Sequence, residues 1–191
     1  DNARKEAIYK KTVELYPNDF RAYNNLGMMA YANGDLATAE NYFKQAASKN
    51  ANAAEVNTNL GLIELTKGNV ANAETYLSKS TGANTANEAL GNLYIKQGQY
   101  DRAVQAFGDT KTNSAALAQI LAKDYNKAKS TLSAVKNPDA YTNYLMAVVG
   151  ARTNNADLVK SSMDKVKQQD AALAAKAQND REFAKYANEV K

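Results

Sequence analysis

The side chains that most often carry out catalysis are scarce in this sequence. It contains no histidine and no cysteine, so it has neither an imidazole base nor a thiolate nucleophile, and it lacks the usual ligands of zinc. Carboxylates alone could still hydrolyse a glycosidic bond, with one acid protonating the leaving oxygen and the other acting as base or nucleophile. The closest acidic pairs are Asp35 with Glu40 and Asp180 with Glu182.

Both acidic pairs fit a structural role better than a catalytic one. Asp35 opens a predicted helix, and Asp180 with Glu182 belongs to a predicted surface helix, where carboxylates stabilise the positive end of the helix dipole. The glycines form no phosphate-binding loop either, because each stands alone at a fixed spacing. The sequence therefore predicts a protein that is not an enzyme and that has no catalytic site, no cofactor and no metal.

The elements that would position any binding site are repeated three times. Each copy opens with Leu-Gly, has a second glycine eight residues after that leucine, an alanine at thirteen, and Phe or Leu at seventeen. The three copies align without a gap as LGMMAYANGDLATAENYF (26–43), LGLIELTKGNVANAETYL (60–77) and LGNLYIKQGQYDRAVQAF (90–107).

The repeated pattern predicts a pair of helices. Apolar residues three and four apart over residues 26–32 predict a helix with one buried face. Gly34 adopts the left-handed conformation that ends a helix, as do Gly68 and Gly98 in the other copies. Asp35 and Asn69 then accept the free amide hydrogens that open the second helix.

Small residues are expected to bring the two helices of a pair together. A glycine facing an alanine allows the helix axes to approach to about 8 Å. The predicted pairs are Gly27 with Ala39, Gly61 with Ala73 and Gly91 with Ala103.

This pattern resembles the tetratricopeptide repeat, a two-helix unit of 34 residues. If each repeat begins six residues before its Leu-Gly, the repeats start at Phe20, Ala54 and Asn84, which are 34 and then 30 residues apart. The resemblance implies an all-α fold, a right-handed superhelical solenoid of stacked antiparallel helix pairs. Only two prolines are present, Pro17 and Pro138, and both lie at predicted joints between helices.

One solenoid domain is predicted over residues 1–191. Its parts are the second helix of a truncated repeat (1–19), three clear repeats (20–53, 54–83 and 84–108), two degenerate repeats (109–138 and 139–169) and a C-terminal cap (170–191). The first degenerate repeat keeps Tyr125 and Ala128 in register but has no glycine to close its first helix. Asn179-Asp180 is expected to split the cap into two helices. Because the sequence begins with Asp1 rather than Met, we expect an excised piece or a processed product.

The resemblance also implies where a partner would bind. In the family, positions two, five, nine and twelve of each repeat line a concave groove. Here these positions are Arg21, Asn24, Met28 and Tyr31; Glu55, Thr58, Leu62 and Leu65; Thr85, Glu88, Asn92 and Ile95; and, in the fourth register, Thr110, Asn113, Leu117 and Ile120. Position twelve is expected to lie deepest, either as the groove floor or as packing between first helices. Asn24, Thr58 and Asn92 are expected to face a ligand, because such polar side chains are mostly exposed.

An apolar floor edged by amides suits an extended peptide or a partner helix. One subgroup of the family clamps a terminal carboxylate with Lys and Arg. At those positions this chain has Asn24, Met28, Asn59, Thr85 and Ala89, so only Asn59 matches. A more neutral ligand, or an internal segment of a partner, is therefore predicted.

These observations predict a non-catalytic protein–protein interaction scaffold, with a structural spacer or self-association module as the alternative. The net charge of +4 is spread along the chain without a basic stripe, which argues against nucleic-acid binding. The longest apolar run, residues 145–151, is far shorter than the ~20 residues of a membrane span. The Ala-, Asn- and Lys-rich helices are similar to repeat segments of bacterial envelope proteins, which favours a periplasmic or cell-envelope location over a cytoplasmic one.

Overall fold

The computed structural model describes residues 1–80 and 82–191. Regular secondary structure within these residues is helical throughout, with twelve α-helices and one 3-10 helix. None of the helices in the described ranges has both the length and the apolar character needed to span a membrane. The helices are α1 (Asn2–Leu15), α2 (Phe20–Ala32), α3 (Leu36–Lys49), α4 (Ala54–Thr66), α5 (Val70–Ser78), α6 (Asn84–Lys96), α7 (Tyr100–Phe107), α8 (Asn113–Leu121), α9 (Tyr125–Ser133), α10 (Ala140–Arg152), α11 (Ala156–Gln169), α12 (Ala171–Ala177) and the 3-10 helix (Arg181–Tyr186).

Helices joined by short turns pack against each other as antiparallel pairs. Thus α2 packs on α3, α4 on α5, α8 on α9 and α10 on α11. The first helices of three pairs begin at Phe20, Ala54 and Asn84. The C-terminal segment is divided between α12 and the 3-10 helix at residues 178–180, where a break was predicted.

Contacts group the chain into two compact units, Asp1–Leu90 and Gly91–Lys191, with the boundary inside α6. We call them the first and the second unit. The division of the chain into repeats within one domain stays a prediction. The first unit has a core of Tyr23, Ala39, Phe43, Ala46, Ala53, Val56, Leu60 and Ile63. The second unit has a core that includes Ile120, Leu132, Leu145, Val149, Met163, Phe183 and Val190.

The turn between paired helices has one hydrogen-bond pattern. At the first turn the N–H of Gly34 donates to the carbonyl of Tyr31 (3.0 Å), and the N–H of Asp35 donates to Ala30 (2.9 Å). The φ angle is +80° at Gly34 and remains positive at Gly68 and Gly98. Glycine suits this left-handed conformation because it has no Cβ to clash with the backbone.

The segments predicted to be degenerate repeats form the same turn without glycine. Lys123 and Asn154 have φ angles of +65° and +55°. The N–H of Lys123 donates to Ile120 (2.9 Å), and the N–H of Asp124 donates to Gln119 (2.8 Å). The hairpin geometry is thus retained where the sequence pattern that marks it is lost.

The close contact within each pair differs from the predicted one. A Cβ added at Gly27 would lie 2.5 Å from Cε1 of Phe43, and one added at Gly61 would lie 2.6 Å from Cγ of Leu77. The prediction that these glycines face alanines is therefore wrong. Phe43 lies one turn beyond Ala39 on the same face of α3, and long helical side chains lean toward the N-terminus of their helix. The ring consequently occupies the space above Gly27.

The residues that precede the second helices behave in two ways. The carboxylate of Asp35 accepts the N–H of Thr38 (3.0 Å) and caps α3, as predicted. Asn69 forms no such cap. Its amide nitrogen donates to the carboxylate of Glu64 (2.9 Å), and this charge-assisted hydrogen bond holds the side chain in an orientation that does not cap α5.

Candidate binding cleft

An open cleft of 590 Å³ lies in the first unit, bordered by α2, α4 and the start of α6. Six residues predicted for the groove line it: Met28, Tyr31, Glu55, Thr58, Leu62 and Thr85. The spacings of three, four and seven residues within α2 and α4 place these side chains on one face of each helix.

Five residues outside repeat positions two, five, nine and twelve also border the cleft. These are Ala32, Phe43, Ala54, Asn59 and Ala83. The three alanines leave space because a methyl group fills little volume, and Phe43 is almost fully buried. Small residues beside the groove positions are the sequence signal that would have identified the three alanines.

Arg21 does not line the cleft, because its guanidinium is engaged at the start of α2. Its Nη2 lies 2.6 Å from Oδ2 of Asp19, and its Nε donates to Oδ1 at 2.9 Å. The hydrogen bonds from Arg21 lower the pKa of the Asp19 carboxyl to about 2. The positive charge of Arg21 is therefore paired with the carboxylate of Asp19 at the start of the same helix.

Asn24 and Thr58 are buried, although they were expected to face a ligand. Asn24 is only 6% exposed, and its Oδ1 accepts a hydrogen bond from Nδ2 of Asn59 (2.9 Å). The hydroxyl of Thr58 donates to the carbonyl of Ala54 (2.8 Å). Buried polar groups are stable when they are hydrogen-bonded in this way. Asn24 therefore lies beneath Asn59 and does not line the cleft, whereas Thr58 lines the cleft with its hydroxyl hydrogen already donated.

Position twelve does not consistently lie deepest. Tyr31 is 40% exposed, whereas Ile120 at the same position is 2% exposed. Tyr31 lies in the last turn of α2 and borders the cleft, so no neighbouring helix covers its ring. Leu65 and Ile95 are partly buried, and neither lines the cleft.

The remaining predicted residues lie elsewhere. Glu88 is exposed on the part of α6 that belongs to the first unit, and it does not border the cleft. Asn92 and Ile95 are partly buried and belong to the second unit. Thr110 and Asn113 are also partly buried in the second unit, as is Leu117.

The cleft combines apolar surface with hydrogen-bond acceptors and one acidic group. Glu55 is the second residue of α4 and is exposed. It is the one charged side chain among the described residues that line the cleft. Asn59 lies one turn further along the helix, and Leu62 follows on the same face. This arrangement can accommodate apolar side chains together with donor groups.

Helix pairs joined by a left-handed turn, with a cleft on the side of the first helices, define an α-helical repeat protein. Three family models described as Tetratricopeptide repeat match residues 8–41, 30–88 and 87–111, which together span more than half of the chain. The chain belongs to the tetratricopeptide repeat family.

Solved structures with a similar fold include YrrB, a tetratricopeptide repeat protein with an unusual peptide-binding site. It is 19% identical with a TM-score of 0.68, over 88% of this chain and 97% of YrrB. PilF of Pseudomonas aeruginosa is 14% identical with a TM-score of 0.72, over 95% of this chain and 86% of PilF. PilW, a type IV pilus biogenesis factor, is 20% identical with a TM-score of 0.61, over 94% and 87% of the two chains. No curated protein sequence matches this chain.

Proposed function

We propose that this chain is a non-catalytic scaffold that binds a peptide segment or a helix of a partner protein in the cleft of the first unit. The observation that carries the proposal is the exposure of large apolar side chains at its edge: Met28 is 52% exposed and Tyr31 is 40% exposed. Exposed apolar surface next to a concave site is typical of interaction sites.

Two further observations support a peptide or helix as the ligand. Proteins of this family and fold act generally as interaction modules, and YrrB, which has a similar fold, has a peptide-binding site. The volume of the cleft, 590 Å³, lies within the range of roughly 300 to 1,000 Å³ typical of ligand pockets. Several side chains of a peptide would therefore fit.

The test is affinity capture from lysates of the source cell, followed by mass spectrometry. The parent chain should retain a partner that is lost with Leu62→Arg and with Met28→Arg, because both changes place a charge in the apolar part of the cleft. Val70→Arg is the matched control, since Val70 is an exposed apolar residue on α5 outside the cleft. Circular dichroism checks that each variant keeps its helices. Equal capture by parent and cleft variants would contradict the proposal.

A spacer or self-association module is the second candidate, and α1 carries an observation in its favour. Ile8, Leu15 and Tyr16 are 57%, 62% and 63% exposed. If this surface joins two copies of the chain, sedimentation should show a dimer that Ile8→Glu with Leu15→Glu converts to a monomer. A parent chain that is monomeric at all concentrations would eliminate self-association through α1.

We also propose an extracytoplasmic location, in the periplasm or cell envelope. The proposal is motivated by the Ala-, Asn- and Lys-rich composition, and PilW, a pilus biogenesis factor of similar fold, is compatible with it. Fractionation of the source cell with an antiserum against this chain tests the location. Recovery with cytoplasmic markers alone would refute it.

A further inference from the structure

We infer that the segment held in the cleft carries a lysine or arginine about 10 Å from an apolar side chain, with its cation bound by Glu55. This inference rests on the proposed function, because it assumes a peptide ligand and adds its chemistry. It differs from recognition of a terminal carboxylate by lysine and arginine, neither of which is among the described residues that line the cleft.

The first argument is charge. The carboxylate of Glu55 is exposed at the border of the cleft and forms no ion pair within the described part of the chain. Among the described lining residues there is no lysine or arginine. Arg21, which occupies the same repeat position in α2, is already bound by Asp19. A partner cation is therefore the charge that complements this side of the cleft.

The second argument is the hydrogen-bonding capacity beside Glu55. Asn59, four residues further along α4, donates one amide hydrogen to Asn24 (2.9 Å), and its oxygen remains an acceptor. The hydroxyl hydrogen of Thr58 is donated to Ala54 (2.8 Å). The polar end of the cleft thus offers acceptors to a ligand, and an ammonium or guanidinium group supplies only donors.

The third argument is the distance between the polar and apolar ends. Leu62 lies seven residues after Glu55 on α4, which corresponds to about 10 Å along a helix axis. Met28 and Tyr31 complete the apolar end, and the flexible thioether of Met28 adapts to different side chains. An extended ligand covers this distance in about three residues, and a helical ligand covers it in about seven.

A purely structural role for Glu55 is the competing explanation. Ala53 provides no side-chain cap for α4, so a carboxylate in the first turn stabilises the helix dipole. Asp157 has the same role as the second residue of α11, and it is exposed in the second unit. Asp157 is therefore a matched control, because changing it alters a helix end without altering the cleft.

The experiment is selection from a phage-displayed library of random peptides long enough to form two helical turns. The selection is carried out separately against the full parent chain and against its Glu55→Lys, Asp157→Lys and Met28→Arg variants. Peptides selected by the parent and by Asp157→Lys should be enriched in Lys or Arg three or seven residues from Leu, Ile, Phe or Met. Glu55→Lys should enrich Asp or Glu at that position instead. A selected peptide should bind Glu55→Gln about tenfold or more weakly in fluorescence anisotropy, and its binding to the parent should weaken with salt.

The outcomes separate the inference from the proposed function. If parent and Glu55→Lys select the same peptides, or if the enriched peptides carry no cation, the inference is overturned while binding in the cleft stands. If no peptide is enriched, or if the selected peptides bind Met28→Arg as tightly as the parent, the proposed function is itself overturned. Circular dichroism of each variant ensures that a loss of binding reflects the cleft rather than unfolding.

Discussion

The two units use the same repeat positions but expose different faces of their first helices. Tyr31 in the first unit and Ile120 in the second both lie three residues before the left-handed residue of the turn. Tyr31 borders the open cleft, whereas Ile120 belongs to a core with Leu145 and Phe183. The repeat position thus determines the hairpin, and the elements packed beside it determine whether the face is open or covered.

The C-terminal segment of the second unit covers part of α10 and α11. The ring of Phe183 packs edge-on against Tyr144, with ring centres 5.5 Å apart. The hydroxyl of Tyr144 donates to Asp180, and Nη2 of Arg152 lies 2.9 Å from Glu182. The hydrogen bond from Arg152 to Glu182 raises the pKa of the guanidinium. Phe183 is 1% exposed, so these contacts accompany the burial of apolar surface in the second unit.

Removal of the Phe183 ring should have the largest effect on stability. Phe183 is 1% exposed, so Phe183→Ala is expected to cost about 3 to 5 kcal/mol, the usual range for a phenylalanine in a core. Urea unfolding measures this loss. Tyr141→Ala is the control, because Tyr141 is an exposed aromatic of the same region. Similar losses for the two variants would contradict a covering role for the C-terminal segment.

The close contact in the first unit predicts the next largest effect. Gly61→Leu should cost about 1 to 3 kcal/mol, because the added side chain overlaps Leu77. Combining it with Leu77→Ala should cost less than the sum of the two single changes, since each change makes room for the other. Thermal unfolding of the four proteins gives this coupling. An unchanged midpoint for Gly61→Leu would refute the close contact.

Much of the fold could be predicted from the sequence because small residues recur at fixed spacing. The helices α2, α4 and α6 begin at the predicted residues, and Asp35 caps α3. These features depend on contacts between residues of one hairpin. Such residues are close in sequence, so a local sequence pattern is enough to predict the contacts. The glycine contact was predicted with the wrong partner because spacing gives the face of a helix but not the direction in which a long side chain leans.

The site was less predictable because exposure depends on distant packing. Six groove positions line the cleft, yet Asn24 is buried beneath Asn59, a contact between residues 35 apart in sequence. Ile120 is buried in a core shared with Leu145 of α10, which packs on α8, and no repeat position encodes that contact. The left-handed conformation at Lys123 was not predicted, for a different reason. Lysine rarely adopts the left-handed conformation, so the residue type does not predict it. The rest of the hairpin imposes this conformation on Lys123.

A smaller effect is expected where the turns of the two units differ. Lys123→Gly should stabilise the chain by up to about 1 kcal/mol, because glycine relieves the cost of a positive φ and only part of this gain is offset by its freedom in the unfolded state. The reverse change, Gly68→Lys, should destabilise the first unit, since Gly68 has a φ of +79°. Urea unfolding compares both variants with the parent. A loss of stability in Lys123→Gly would show that the lysine side chain makes contacts that outweigh the strain.

One further position distinguishes the units. Glu64 and Gln119 both lie four residues before the left-handed residue of their turns, and both are buried. The carboxylate of Glu64 accepts hydrogen bonds from Lys67 (3.0 Å), Asn69 (2.9 Å) and Asn72 (3.2 Å). The side-chain oxygen of Gln119 accepts none from the described residues. The same position thus holds a hydrogen-bonded carboxylate in one unit and, in the other, an amide whose oxygen has no partner among the described residues.

The smallest effect is therefore a pH dependence that belongs to the first unit. The hydrogen bond from Lys67 lowers the pKa of Glu64, and those from Asn69 and Asn72 add to it. A carboxyl group with a lowered folded pKa stabilises the protein above its unfolded pKa of about 4.3, and this contribution is lost as the pH falls through the folded pKa. Between about pH 7 and pH 3, the free energy of unfolding measured in urea should fall more for the parent than for the Glu64→Gln variant.

The Gln119→Met variant is the control. Its free energy of unfolding should fall as much as that of the parent, because an amide does not titrate in this range. An equal loss in the parent and Glu64→Gln would assign the acid sensitivity to other carboxylates, such as Asp19 and Glu40, whose pKa values are also lowered.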